Sequence, residues 1–214
     1  MEAFSDAVFA FAVTLLIVSL EVPKNFEELI VTMRGFFAFG VCFVLLMSIW
    51  YEQNIFFRRY GLDDLLTIVL NCALIFLVLF YVYPLKFLFM LLFSDQIYGE
   101  AHSPLVILPA NVPTLMEIYD AGFISIYFLF CLMYLHVRRK KGELQLTGRE
   151  LFETNSKIYK TLIFMCIGIA SMIIALLLKP QMAGLSGFAY FLIAPALSVF
   201  YRFRAKRKRK LYPL

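Results

Sequence analysis

Leu65-Leu66-Thr67-Ile68-Val69-Leu70-Asn71-Cys72-Ala73-Leu74-Ile75-Phe76-Leu77-Val78-Leu79-Phe80-Tyr81-Val82-Tyr83-Pro84 is a run of 20 residues without a charge. A helix of that length rises about 30 Å, the thickness of a bilayer's hydrocarbon core. The run continues to Phe93 with Lys86 as its one charge. That exceeds a single crossing, so a kink at Pro84 and an extension into the outer interface are expected.

The rest of the chain has the same character. Of its 214 residues, 62% are hydrophobic and 16% charged, and the mean hydropathy is +0.82. A soluble domain is nearer half apolar and a quarter charged. One membrane domain over 1–201 is expected, followed by a basic cytoplasmic tail over 202–214, with no room for a separate soluble domain. Cys42, Cys72, Cys131 and Cys166 each stand alone in apolar runs, without the paired spacing of a disulfide framework or zinc site. The N-terminus has no basic leader and its first apolar run is long enough to span, so that helix is expected to remain in the mature protein.

Working outward from Leu65, five further spans can be placed. The first is Ala3 to Val22, interrupted by Asp6 and stopped by Pro23. Phe26, Leu29, Ile30 and Met33 recur at helical spacing opposite Glu27 and Glu28, which suggests a short amphipathic helix lying along the interface. A second span then runs from Gly35 to about Tyr51, ending in Trp50, Tyr51 and Arg58-Arg59, the aromatic-then-basic order of a helix leaving lipid. Residues 94 to 114, with Gly99, Pro104, Pro109 and Pro113, read as the long loop. The fourth span covers Leu115 to Val137, with Glu117 and Asp120 at the outer interface and His136 beside the basic run from Arg138 to Lys141. A polar connection over 142–156 leads to the fifth, Ile158 to Leu178, and the sixth is Gly184 to Tyr201 with a kink at Pro195. The fold class is therefore all-α: a polytopic membrane protein with six transmembrane helices.

The basic residues orient it. With the N-terminus cytoplasmic, the outer segments hold Lys24, Arg34, Lys86 and Lys179, leaving 20 − 4 = 16 Lys and Arg inside. Both termini are expected to be cytoplasmic by the positive-inside rule. The net charge of +5 comes from the inner loops and the tail, which reads as an orientation signal attracted to anionic lipid. With no aromatic interleaving or associated fold, the tail gives no reason to expect nucleic acid as a partner. Nothing resembles a nucleophile elbow, phosphate loop or zinc signature, so no enzyme and no cofactor are expected.

The first span opens Met1-Glu2-Ala3-Phe4-Ser5-Asp6-Ala7-Val8-Phe9-Ala10-Phe11-Ala12-Val13-Thr14-Leu15-Leu16. Phe4-Ser5-Asp6 matches the F-S-D of the R-x-x-x-F-S-D hallmark of the transmembrane protein 175 family, whose arginine would fall before Met1. Ala7-Val8-Phe9-Ala10, Thr14-Leu15-Leu16 and the Trp50 to Arg59 segment also resemble its prokaryotic six-helix members. The resemblance implies a homotetrameric potassium channel in which the first helix of each subunit lines a central pore. It implies no glycine-rich carbonyl filter, and the chain indeed lacks a T-V-G-Y-G loop. The family's constriction positions fall on Phe11, Thr14, Leu15 and Val18. At about 100° per residue these four share one helix face. Phe11 stands where isoleucine or leucine is usual.

A ring of apolar side chains can gate by dewetting, and a ring of Thr14 hydroxyls can partly replace the hydration of a passing potassium ion, held only transiently. Read without the resemblance, Phe11, Leu15 and Val18 are ordinary packing or lipid-facing residues, and Thr14 bonds the carbonyl of Ala10 four residues back. Asp6 lies about 80° to 140° around the helix from Thr14, Val18 and Phe11. A structural network is expected there, joining Phe4, Ser5 and Asp6 to Trp50 and Asn54. Ala3, Ala7 and Ala10 make a stripe of small residues that permits close helix approach. The competing function is a proton-coupled secondary transporter, or a proton-conducting channel, using Asp6, Glu117 or Asp120. A non-conducting membrane scaffold is a third. The compact six-span size resembles prokaryotic members, which implies the plasma membrane of a prokaryote.

Overall fold

The structure, a computed structural model, describes residues 2–18, 24–94, 97 and 107–211; for residues 2, 16–18 and 210 it describes the backbone only. Among the described residues the long α-helices are, in order, α1 Glu2–Val18, α2 Phe26–Tyr60, α3 Leu65–Leu92, α4 Val112–Arg139, α5 Gly148–Leu177 and α6 Ile193–Leu211. Two 3-10 segments, Pro109–Asn111 and Pro180–Leu192, precede α4 and α6. Among the described residues there is no strand, so the protein is all-α. Among the described residues, five stretches are long and apolar enough to cross a membrane: α2, α3, Pro109–Arg139, α5 and Pro180–Arg209. The described part of α1 has 17 residues, about 25 Å of helix. The remainder of the expected first span, from 19 to 22, and its stop at Pro23 lie outside the described residues.

Several boundaries differ from expectation. The interfacial helix and second span are one helix of 35 residues. Nothing between Arg34 and Gly35 interrupts backbone hydrogen bonding, and Gly35 lies buried where an added Cβ would reach ordinary contact distance of the Met90 side chain. The helix is closed at both ends by local chemistry. Asn25 Oδ1 accepts the Glu28 N–H at 2.8 Å, while Gly61, at φ 55°, donates its N–H to Phe57 O. Glycine carries no Cβ penalty in that left-handed conformation. Glu27 and Glu28 in the first turn and Arg58 and Arg59 in the last complement the helix dipole.

The connection expected over 142–156 is helical from Gly148, because Thr147 and Glu150 form a reciprocal capping box. The first half of the sixth span is 3-10 rather than α, and α6 then runs without a break across the 201/202 boundary to Leu211. Arg202 to Lys210 are therefore a helical extension of the span; Lys, Arg and Ala are good helix formers. α3 remains helical through Pro84.

The chain divides into two compact units, Met1–Asp63 with Ile75–Leu108, and Asp64–Leu74 with Pro109–Leu214. In the first, α1 packs along α2, and Phe37 of α2 meets Phe93 edge-on at 4.9 Å. In the second, α4, α5 and the 3-10 segment Pro180–Leu192 pack together. Tyr127 and Phe164 stack at 4.3 Å with an interplanar angle of 2°. Gly168 sets the closeness of α4 and α5, since a Cβ there would lie 2.8 Å from Ile124 Cγ1 and 3.1 Å from Phe123 Cδ1. Outward faces remain apolar: Phe76, Phe80, Leu177 and Phe191 are all exposed. In water such surface would be unfavourable, whereas in lipid it is the ordinary exterior. The protein is a multi-pass membrane protein.

Candidate functional site

α1 has little hydrophobic asymmetry, yet its packing divides it sharply into two faces. Ser5, Phe9 and Ala12 are buried, while Ala3, Phe4, Ala7, Ala10, Phe11 and Thr14 are exposed. On a helical projection the two groups lie on opposite sides, their centres separated by about 170°. The buried face packs on α2. The exposed face carries Phe11, which is 56% exposed, together with Thr14 and the alanine stripe. Leu15 lies half-buried at its edge. Val18 ends the described helix and its side chain lies outside the described ones.

Thr14 Oγ1 donates to the Phe11 carbonyl at 2.7 Å, so the backbone partner expected at Ala10, four residues back, is three residues back instead. With its proton committed to that carbonyl, the hydroxyl oxygen presents lone pairs outward. An exposed oxygen used purely as an acceptor can pair with a cation.

At the edge between the two faces, Asp6 Oδ1 accepts a hydrogen bond from Trp50 Nε1 at 2.7 Å. This bond spans 44 residues of sequence and ties α1 to α2, leaving Asp6 directed away from the exposed face. Ser5 is buried, Asn54 half-buried and Phe4 exposed.

Other polar constellations lay beyond sequence reasoning. Asp120, expected at the outer interface, is 1% exposed. Its Oδ1 accepts the Tyr190 hydroxyl at 2.6 Å, and its Oδ2 has no hydrogen-bond partner. Nearby in the same unit Ser171 Oγ donates to Ser186 O at 3.2 Å. The sequence placed Asp120 in the first turns of α4 but held no sign of the 3-10 segment that covers it. His136, expected beside the basic cluster, pairs Nε2 with Asp64 Oδ2 at 2.8 Å. Thr67 Oγ1 donates to Asp64 Oδ1 at 2.8 Å, and Lys140 Nζ is 3.9 Å from that oxygen. Burial pushes the Asp64 carboxyl up, but the hydrogen bonds from Thr67 and His136 and the charges of His136 and Lys140 outweigh it and hold it below its ordinary value. An aspartate three residues before a threonine at a helix start was a legible capping signal; its histidine partner, 72 residues away, was not.

Among the described residues no group of three or more His, Cys, Asp or Glu is arranged to hold a metal ion. Cys42 and Cys131 are buried and Cys72 and Cys166 exposed, all as free thiols.

Comparison with known proteins places this geometry in context. The family model described as the endosomal/lysosomal potassium channel TMEM175 matches residues 1–84. A protein from Marivirga tractuosa named "Potassium channel" is 40% identical over 223 aligned positions, covering 99% of this chain and 89% of that protein. A crystal structure of a variant of the potassium channel MtTMEM175, bound to a nanobody–MBP fusion, superposes with a TM-score of 0.83 at 40% identity, covering 96% of this chain and 92% of that one. A lysosomal potassium-selective channel TMEM175 homolog from Chamaesiphon minutus shares the fold, with a TM-score of 0.57 at 20% identity over 96% of this chain and 95% of that one.

Proposed function

The chain belongs to the family of the endosomal/lysosomal potassium channel TMEM175, and from that premise we propose that it is a potassium channel, passively conducting through a homotetrameric pore lined by α1. It is not an enzyme. The observation that carries the reading is the uncovered face of α1. Phe11 and Thr14 lie on the side that α2 leaves free, and Ala3, Ala7 and Ala10 beside them allow neighbouring copies of the helix to approach closely. Symmetric copies placed around an axis would turn that face inward.

Four Thr14 hydroxyls, each with its proton bound to the Phe11 carbonyl, would offer oxygens to a partly dehydrated potassium ion. Phe11, Leu15 and Val18 would supply an apolar constriction that gates by dewetting. Discrimination against sodium rests on the lower cost of disturbing potassium's hydration shell, and no cofactor is required. Asp6 acts as a positioning residue: through Trp50 it fixes the rotation of α1 and hence what faces the axis. The excess of Lys and Arg in the inner loops and tail supports cytoplasmic termini, and the compact six-span size supports the plasma membrane of a prokaryote.

Flux from purified protein in liposomes under a potassium gradient tests this. Potassium should move without a proton gradient, Thr14→Ala should lower the potassium-to-sodium permeability ratio, and Phe11→Ala should raise flux. The absence of potassium flux refutes the channel. The buried Asp120, with one oxygen unpartnered, motivates a second reading as a proton-coupled carrier. Transport that saturates, requires a proton gradient and is abolished by Asp120→Asn would establish that reading instead.

A further inference from the structure

A groove of about 700 Å³ runs between α5 and α6. Tyr159, Leu162 and Cys166 form one wall and Ala196, Val199 and Phe200 the other, with almost no polar surface exposed along it. In a bilayer, an open apolar groove on a helical bundle is filled by hydrocarbon, and it distinguishes one lipid from another only by what stands at its ends. One end is distinctive. Arg204 sits a turn beyond Phe200, its guanidinium 5.5 Å from the ring of Tyr159 and 3.8 Å from that of Phe152. It donates from Nε and Nη2 to Ser156 Oγ and from Nη2 to Phe152 O.

These described partners are all neutral, so the groups that hold this half-buried cation in place leave its charge uncompensated. The contrast lies one turn on, where Lys208 Nζ pairs with the Glu153 carboxylate. Arg207 is exposed and, at i+3 from Arg204, is its neighbour on the helix surface. A long apolar channel ending in a fixed guanidinium whose described partners are all neutral, with a second arginine beside it, is complementary to an amphiphile with a single anionic head.

We propose that the groove between α5 and α6 binds an anionic phospholipid, its acyl chain along Leu162, Cys166, Ala196 and Val199 and its phosphate at Arg204 and Arg207. The site is separate from α1 and does not depend on how ions cross the protein. It differs from diffuse attraction to the basic tail, because Arg202 and Arg209 lie toward the other side of α6 by helical phase.

Native mass spectrometry of detergent-purified protein, titrated with dioleoylphosphatidylglycerol against dioleoylphosphatidylcholine, tests the assignment. The phosphatidylglycerol should be retained about thirtyfold better, as expected for two arginines at one headgroup. Arg207→Gln, an exposed change, and Arg204→Gln should each shrink that preference, whereas Arg204→Lys and the pair Arg202→Gln with Arg209→Gln should keep it. Ala196→Phe, which fills the groove, should reduce retention of both lipids, and millimolar inorganic phosphate should not compete. Equal retention of the two lipids by the unaltered protein overturns the proposal. So does a preference that survives at both Arg204 and Arg207, or competition by free phosphate. If Ala196→Phe alters the oligomer's mass and leaves lipid retention intact, the groove is an interface between copies and the proposal also fails.

Discussion

Removing the indole N–H of Trp50 while retaining an aromatic ring isolates the bond that fixes α1 on α2. The donor–acceptor distance of 2.7 Å is at the short end for a bond to a carboxylate. Hydrogen bonds to charged groups contribute about 1.5 to 3 kcal/mol in soluble proteins. Polar pairs within membrane bundles average about 0.6 kcal/mol and reach about 1.7. Since this bond is partly buried, a coupling of about 1 to 1.5 kcal/mol is expected between Trp50→Phe and Asp6→Ala. The assay is a double-mutant cycle read by reversible unfolding in mixed micelles, with potassium flux measured on the same four proteins. Each single variant should lose stability, the double should lose less than their sum, and the singles should alter flux in the same direction. Additivity within about 0.3 kcal/mol would show that the bond contributes nothing, and unaltered flux would show that α1 does not need it to orient Thr14.

Three other outcomes follow from the packing. Gly168→Ala forces a methyl group against Ile124 and Phe123 and should destabilise the protein by about 1 to 3 kcal/mol, read by thermal unfolding in detergent; an unchanged transition would contradict the close approach of α4 and α5. Tyr190→Phe removes the donor to Asp120 Oδ1 and should cost about 1 to 3 kcal/mol. The same change made in Asp120→Asn should cost less, because no carboxylate remains to be stranded. The Asp64 carboxyl is held below its ordinary value, so its contribution is fully present above the unfolded value of about 3.9 and is lost as pH falls through the lower folded value. The stability gap between the native protein and Asp64→Asn should therefore hold above about pH 5 and close toward acid. A gap that widens as pH falls below about 4 would contradict that sign.

The sequence by itself determined that the chain crosses a membrane, because uncharged runs such as Leu65 to Pro84 can be solvated by lipid and not by water. It also determined the helical phase of α1, since backbone geometry alone puts Phe11 and Thr14 on one face and Asp6 aside from it. Amphipathic spacing pointed to a separate helix over 26–34, but hydrogen bonding along the backbone continues wherever nothing interrupts it, and Arg34-Gly35 does not. The capping box at Thr147 is a local signal, but the segment it opens is polar and has the composition of a connection.

What only the tertiary structure decided was which polar groups meet across distance. Asp64 with His136, Asp120 with Tyr190 and Arg204 with Ser156 are each separated by dozens of residues. No spacing rule encodes such pairs; they form because helix packing brings unlike groups within hydrogen-bond range in a medium where leaving them unpaired is costly. Burial of Asp120 is the clearest instance: its place near the start of α4 suggested water, and the 3-10 segment carrying Tyr190 excluded it.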